Sequence, residues 1–262
     1  MTTAGSDRSL WVGTSWKMTK TLAEAARFAE ELAAQDWSLV PGVQPFVLPP
    51  ATALTTVRQG LGSGSPVLLG AQNAHWEDEG AWTGEVSVPQ VRDAGAALVE
   101  IGHSERREHF GETDHTVNLK VAATLRHGLV PLVCVGESAE LFAAGGSVDH
   151  VLSQVRAALA DVDDLSDVVV AYEPVWAIGE RGRPATPDDV TGVFAALRAE
   201  YGTAGVRLLY GGSVNERNAA ALLDVPGVGG LFVGRSAWSV QGYLALVEIA
   251  SHTVTARVGS PA

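Results

Sequence analysis

The chain has 262 residues, a hydrophobic share of 46% and a formal net charge of -12 at pH 7. This length suits one large α/β barrel domain or two small domains. The acidic balance argues against nucleic acid and anionic membranes as partners, because both carry charge of the same sign. A small phosphate ligand remains compatible with it, because the backbone N–H groups of a helix N-terminus can bind phosphate locally.

The only cysteine, Cys134, lies within an apolar run, so no disulfide forms within the chain and we expect a buried thiol. Residues 1–9 are polar and contain no hydrophobic segment typical of a secretion signal. No apolar run approaches the roughly 20 residues that a bilayer-spanning helix needs. We therefore expect a cytoplasmic protein.

Short apolar runs recur along the chain and predict eight strands. They cover residues 10–13, 45–48, 67–69, 97–101, 130–135, 168–172, 206–210 and 230–233. Nearly continuous runs of Val, Ile and Leu are typical of parallel strands that are covered on both faces.

The segments between these runs show helical periodicity. Apolar residues recur at helical spacing in 22–33, after a capping-box pair formed by Thr21 and Glu24. Strand–helix alternation repeated in this way predicts an α/β fold, a single-domain (β/α)8 barrel, over residues 10–250. We expect a polar N-terminal tail at 1–9 and a C-terminal tail at 251–262. A doubly wound open sheet is the alternative fold.

In a (β/α)8 barrel, active-site groups follow the carboxyl ends of the strands. Unusual polar clusters follow five of the predicted strands, at residues 14–18, 102–107, 173–179, 210–213 and 234–236. Neither a P-loop, nor a strand–helix G-x-G-x-x-G motif, nor an H-E-x-x-H pattern is present, so the sequence predicts no metal and no nucleotide.

Four segments resemble the triosephosphate isomerase family, in that family's order and spacing. They are residues 16–18, 102–107, 171–179 and 210–214, and Thr83-Gly84-Glu85 resembles the tip of the family's dimer loop. The resemblance covers about residues 10–250. It implies an isomerase without a cofactor, which moves a proton between adjacent carbons of a sugar phosphate.

The resemblance implies roles for four residues. Glu173 is the expected base, since apolar walls would raise the basicity of a carboxylate after a strand. His103 is the expected electrophile, because the positive end of a helix dipole disfavours the imidazolium. Lys17 would supply a fixed positive charge, and Glu105 would hydrogen-bond this lysine. Taken singly, each residue has an ordinary alternative: a turn glutamate, a packed histidine, a solvated lysine and a salt bridge to a neighbouring arginine.

The phosphate group is expected to contact backbone N–H groups on three loops. The candidates are Gly179, Ser213 and Gly234 with Arg235, since glycines let an anion approach the backbone closely. The segment from Pro174 through Val175 and Trp176 resembles the first hinge of the family's mobile lid. Tyr210 and Ser213 resemble the latch of this lid, and Ile178 with Phe232 would form an apolar clamp over Glu173.

Four departures from the family pattern fall near the substrate. Ser15 stands in place of an asparagine, Arg235 in place of a glycine and Phe232 in place of a leucine, and the lid over 179–185 is one residue longer. The segments 13–18 and 230–238 resemble one branch of the family, the tetrulose-phosphate isomerases of erythritol and related polyol breakdown. This branch converts L-erythrulose 1-phosphate to D-erythrulose 4-phosphate.

The resemblance leaves two other functions open. The chain could be a triosephosphate isomerase proper, acting in glycolysis and gluconeogenesis, or a catalytically silent sugar-phosphate sensor. The dimer-loop resemblance implies a homodimer, in which Thr83 reaches the active site of the neighbouring subunit and supports Lys17 and His103.

Overall fold

The computed structural model describes residues 9–179 and 182–259. Eight parallel strands form a closed barrel in chain order, which confirms the predicted single-domain (β/α)8 fold and rules out an open sheet. The strands are β1 (Leu10–Ser15), β2 (Val43–Leu48), β3 (Leu68–Ala71), β4 (Leu98–Ile101), β5 (Val130–Val135), β6 (Val169–Tyr172), β7 (Arg207–Tyr210) and β8 (Gly230–Val233).

Helices in the described residues surround the barrel. They are α1 (Leu22–Ala33), α2 (Leu54–Leu61), α3 (Val88–Asp93), α4 (Ser104–Phe110), α5 (Asp114–Arg126), α6 (Ala139–Ala143), α7 (Ser147–Ala158), α8 (Pro187–Tyr201), α9 (Ala219–Leu223) and α10 (Val240–Gly259). The predicted capping box of α1 is present, because the Thr21 side chain accepts from the Glu24 N–H and the Glu24 carboxylate accepts from the Thr21 N–H.

Helix α10 runs past residue 250, where the sequence places the start of a tail. The Ser251 hydroxyl donates to the Pro41 carbonyl oxygen at 3.0 Å, and Ser251 and Thr253 are buried. These contacts fix the added turns of the helix against the loop before β2. Residues 1–8 and 260–262 lie outside the described residues.

Two apolar layers form the core. One lies between the strands and the helices, and the other fills the barrel interior with side chains that include Phe46, Leu98, Leu132 and Phe232. Inward and outward side chains alternate along each strand. None of the helices in the described ranges has the length and hydropathy that a bilayer-spanning segment requires.

Candidate active site

A cavity of about 320 Å³ opens at the carboxyl ends of the strands. It brings together most of the residues that the sequence singled out. They are Ser15, Lys17, His103, Glu105, Glu173, Ile178, Gly179, Ser213, Phe232, Gly234 and Arg235. Pro174, Val175, Trp176 and Tyr210 lie outside this lining, and Thr83 lies on an exposed loop.

Lys17 is held in an uncommon backbone conformation directly after β1. Its φ of 51° lies in the left-handed region, which a non-glycine residue occupies only where its surroundings enforce it. The Gln72 amide donates to the carbonyl oxygens of Lys17, at 3.1 Å, and Leu48, at 2.9 Å. The Lys17 ammonium contacts Glu105 Oε1 at 2.5 Å. Burial opposes ionisation of Glu105, but Lys17 outweighs it and lowers the pKa of that carboxyl.

His103 caps the N-terminus of α4. Gly102, with a φ of 77°, makes the turn from β4 into this position. His103 Nδ1 accepts a hydrogen bond from the Glu105 N–H at 3.1 Å, which leaves the ring proton on Nε2. Burial, and then the charge of Lys17, lowers the pKa of His103 to about 4. The ring is therefore neutral at pH 7 and presents an N–H group.

A buried ionic cluster that the sequence analysis did not single out supports His103. Glu112 accepts from the Gly102 N–H at 2.9 Å, from Arg106 Nε at 2.8 Å and from Lys120 Nζ at 2.9 Å. Lys120 also donates to Asn73 Oδ1 at 2.8 Å. This cluster ties the β4–α4 turn to α5, so the position of His103 depends on several elements.

Glu173 follows β6 and is buried beside the histidine. Its Oε2 lies 3.4 Å from His103 Nε2 and has no hydrogen-bond partner among the described residues. Burial raises the pKa of Glu173 well above its ordinary value, and the negative charge of Glu100 raises it further. A Cβ on Gly211 would come within 2.5 Å of Glu173 Cγ, so this side chain fits only beside a glycine. The arrangement suits a carboxylate that accepts a proton from carbon.

A second carboxyl, Glu100, was also not singled out from the sequence. It lies on β4 with 3% exposure, and Ser15 Oγ donates to its Oε2 at 2.8 Å. Burial raises the pKa of Glu100 to about 7. The available signal was a single charged residue within the apolar run 97–101.

The expected phosphate-binding groups lie on three neighbouring loops. Gly179 has a φ of 82°, and Gly234 precedes a 3₁₀ turn at Arg235–Ala237. The Ser213 N–H, one of these expected groups, donates to the Ala177 carbonyl oxygen at 3.0 Å in this structure. Its hydroxyl contacts the same oxygen. The Ser213 N–H therefore reaches a phosphate only after residue 177 moves.

The expected lid is anchored on both sides of its centre. Its first part is a 3₁₀ turn at Val175–Ala177, and Trp176 Nε1 donates to Glu137 at 2.8 Å. On the far side, Arg183 pairs with Asp189 at 2.8 Å, and its guanidinium lies 4.6 Å from the Trp176 ring centre. Residues 180 and 181 lie outside the described residues.

Tyr210, the expected latch, ends β7 beneath this segment. Its hydroxyl is buried and has no hydrogen-bond partner among the described residues. It lies beside Gly212, where an added Cβ would come within 2.1 Å of the hydroxyl oxygen.

The loop between β3 and α3 carries Thr83 at its exposed tip. His75 stacks on Trp76 at 4.1 Å and contacts the Trp82 ring at 4.5 Å, so aromatic side chains support the loop from within. The Glu85 N–H closes the tip by donating to the Trp82 carbonyl oxygen at 2.9 Å. Thr83 does not reach the cavity of its own chain.

A closed barrel with acid–base side chains gathered at its carboxyl ends defines a (β/α)8 enzyme. The model of the triosephosphate isomerase family matches residues 10–250. The chain belongs to the triosephosphate isomerase family, and it is an isomerase. In the part of the chain that the structure describes, no group of three or more His, Cys, Asp or Glu residues is arranged to hold a metal ion.

Similar proteins include two named L-erythrulose-1-phosphate isomerase. The one from Mycolicibacterium smegmatis is 60% identical over 245 residues, covering 92% of this chain and 93% of its own length. The one from Mesorhizobium japonicum is 51% identical, covering 93% and 98%. The crystal structure of triosephosphate isomerase from Bartonella henselae superposes with a TM-score of 0.82 at 33% identity, covering 92% of this chain and 98% of the other.

Proposed function

We propose that this isomerase interconverts L-erythrulose 1-phosphate and D-erythrulose 4-phosphate through an enediolate, without a cofactor. The observation that carries the acid–base part is the 3.4 Å approach of Glu173 Oε2 to His103 Nε2 in the cavity that also holds Lys17. The relatives named for this activity, which match nearly the whole chain, support the choice of substrate.

The reaction needs one proton to move between adjacent carbons and one between the two oxygens. The Glu173 carboxylate takes the proton from the carbon beside the carbonyl, and the neutral His103 donates its Nε2–H to the carbonyl oxygen. The positive charge of Lys17 stabilises the enediolate. His103 regains its proton from the hydroxyl oxygen of the neighbouring carbon, and Glu173 returns its proton to the former carbonyl carbon. The protons therefore balance, and no electrons are exchanged with another molecule.

The phosphate group binds opposite Glu173, near Gly179 and Gly234. Arg235 adds a positive side chain to the same wall of the cavity. Movement of Ala177 releases the Ser213 N–H for the phosphate, so binding and lid closure are coupled. Ile178 and Phe232 supply apolar surface over Glu173, and closure excludes water from the enediolate.

Triose phosphates are the second candidate substrates. The superposition with a triosephosphate isomerase supports them, because the same acid–base groups serve either substrate. The two candidates differ by one hydroxymethyl group, and a difference of this size typically changes discrimination by about 1–3 kcal/mol.

Assembly and location form part of the proposal. The exposed loop with Thr83 at its tip is suited to enter the cavity of a second copy, and the exposed apolar side chains Met18, Trp82 and Phe110 would be covered in a homodimer. The enzyme would act in the cytoplasm, on a sugar phosphate of polyol breakdown.

Isotope exchange tests the function. The protein is incubated in deuterated water with L-erythrulose 1-phosphate, and the carbon-bound proton and the D-erythrulose 4-phosphate are followed by NMR. We expect exchange with product formation, and a Glu173→Gln variant should be slower by at least about 10²–10⁴-fold. Exchange with triose phosphate alone would favour the second candidate, and exchange with neither would indicate a binding protein without catalysis.

A further inference from the structure

Glu100 occupies an inward position of the barrel that would otherwise hold an apolar side chain. Leu98, two residues earlier on β4, belongs to the apolar interior with Leu132 and Cys134 of β5. Glu100 points the same way as Leu98, because side chains two apart on a strand share a face. It is therefore a carboxyl at the top of the interior layer, directly below the cavity.

Burial of a carboxyl at this place costs stability unless polar partners compensate for it. The hydrogen bond from Ser15 Oγ joins Glu100 to the cavity wall, and the positive charge of Lys17 also favours the ionised carboxyl. Residues that break the local packing pattern in this way are concentrated at functional sites.

The bond to Glu100 determines what Ser15 offers to a ligand. A serine hydroxyl has one proton to donate and two lone pairs that accept. Since the proton is directed to Glu100 Oε2, the Ser15 oxygen faces the cavity as an acceptor. The Trp238 indole N–H holds the backbone of Ser15 by donating to its carbonyl oxygen at 2.9 Å. A substrate group that contacts Ser15 must therefore be a donor, such as a hydroxyl.

We propose that the Ser15–Glu100 pair recognises the terminal hydroxymethyl group of a tetrulose phosphate, with Ser15 accepting its hydroxyl proton and Glu100 acting as the positioning residue. This inference rests on the proposed function. In a triose phosphate a hydrogen takes the place of this group on the carbon that gives its proton to Glu173, so the pair favours the four-carbon substrate over the three-carbon one.

The position of the pair fits the position of that group. In L-erythrulose 1-phosphate the hydroxymethyl group is attached to the carbon that gives its proton to Glu173, on the side away from the phosphate. Ser15 ends β1, and its hydroxyl bonds across the barrel interior to Glu100 on β4, the strand whose following turn carries His103. Because His103 follows the same strand as Glu100 and its Nε2 lies 3.4 Å from Glu173 Oε2, the pair lies on the base's side of the cavity.

A substrate–variant cycle tests the inference. The two substrates are L-erythrulose 1-phosphate and its 4-deoxy analogue, whose terminal carbon is a methyl group. We expect the natural protein to prefer the hydroxylated substrate in kcat/KM by about 10- to 100-fold, and Glu100→Met to reduce that preference to less than about threefold. Ser15→Ala should reduce the preference to the same extent. The double variant should lose no more of the preference than the single variant with the greater loss.

Glu100→Gln is the matched control, because its amide oxygen accepts the same hydrogen bond without the charge. It should keep more of the preference than Glu100→Met does. Equal losses of kcat/KM on both substrates in Glu100→Met and Ser15→Ala would overturn the inference and leave the proposed function intact. If the natural protein does not convert L-erythrulose 1-phosphate at all, the proposed function fails first and this inference with it.

Discussion

Three carboxyls near the cavity have different surroundings, and these surroundings set their charge at neutral pH. Lys17 lowers the pKa of Glu105, which stays ionised, whereas burial raises the pKa of Glu173 and raises that of Glu100 to about 7. Burial and neighbouring charges thus distinguish Glu105 in its ion pair, Glu173 as the base and Glu100 as the positioning carboxyl. A residue type alone does not reveal this, since all three are glutamates.

The raised pKa of Glu100 predicts how stability depends on pH. Between the ordinary value of 4.5 and about 7, the folded chain binds more protons than the unfolded chain, so stability falls as pH rises through this window. Lys17 opposes the shift, whereas Glu105 and Glu112 add to it. Glu100→Met should therefore raise the free energy of unfolding relative to the natural protein. This gain should be larger at pH 8 than at pH 5, by on the order of 3 kcal/mol.

Urea unfolding at both pH values, at one protein concentration, measures this difference. If the difference in free energy of unfolding between the two proteins is the same at both pH values, this would contradict the burial of the Glu100 charge. A loss of stability at pH 8 would indicate that Glu100 serves the fold rather than the ligand.

At the residue scale, the resemblance to the triosephosphate isomerase family identified Glu173, His103 and Lys17 as candidates, in polar clusters that follow predicted strands. It did not identify Glu100, because the pattern 97–101 predicts a strand without telling which of its residues face inward. The cluster around Glu112 was missed because its partners Arg106 and Lys120, six and eight residues away, lie on two different helices, and Asn73 lies 47 residues before Lys120.

At the scale of elements, the structure connects the lid to β7. Ser213 contacts the Ala177 carbonyl oxygen through its N–H and its hydroxyl, and the nearby Tyr210 hydroxyl is buried without a partner in the described residues. An unsatisfied buried donor costs free energy. A lid conformation in which the Tyr210 hydroxyl finds a hydrogen-bond partner is stabilised by the free energy that the unpaired hydroxyl costs. This supports the expected role of Tyr210 as the latch.

Tyr210→Phe tests this role. The variant should lower kcat by about tenfold, because a hydrogen bond made only in the closed lid is worth roughly 0.5–1.5 kcal/mol. Stability should rise, since the variant removes a buried hydroxyl that makes no bond in the present conformation. The measurement is steady-state kinetics with a thermal melt. A Tyr201→Phe variant, which changes a tyrosine at the end of α8 away from the cavity, is the control; equal effects in both would exclude the latch.

The sequence placed the strand ends well because glycines and polar clusters mark them. The hydrogen bonds of Ser213 were not predictable, because they depend on how the loops after β6 and β7 pack together. Helix α10 was likewise longer than expected, since its last turns are fixed by contacts with a loop more than two hundred residues earlier.

At the scale of the whole molecule, strand–helix alternation over eight strands predicted the closed barrel, with an open sheet as the alternative, because parallel strands need helical connections. The same alternation does not predict how two copies assemble. A single chain shows the exposed loop with Thr83 and the Met18 side chain, at 98% exposure, and the surface that they contact in a homodimer is part of the proposal.

Deleting Thr83 and Gly84 tests the proposed homodimer. The shortened loop should yield monomers with low activity, because Lys17 and His103 would lose support from the neighbouring copy. Sedimentation measures the mass and kinetics measures the activity. Thr255→Ala, on the exposed part of α10, is the control, because this variant should still sediment with the mass of a dimer. Full activity in a monomer would contradict the proposal.

We infer that this family member acts on a four-carbon substrate with Glu173 as the base. A direct test compares kcat/KM for L-erythrulose 1-phosphate and for glyceraldehyde 3-phosphate with the same purified protein. We expect a higher value for L-erythrulose 1-phosphate, with activity on both abolished or greatly reduced in Glu173→Gln. A higher value for glyceraldehyde 3-phosphate would contradict it.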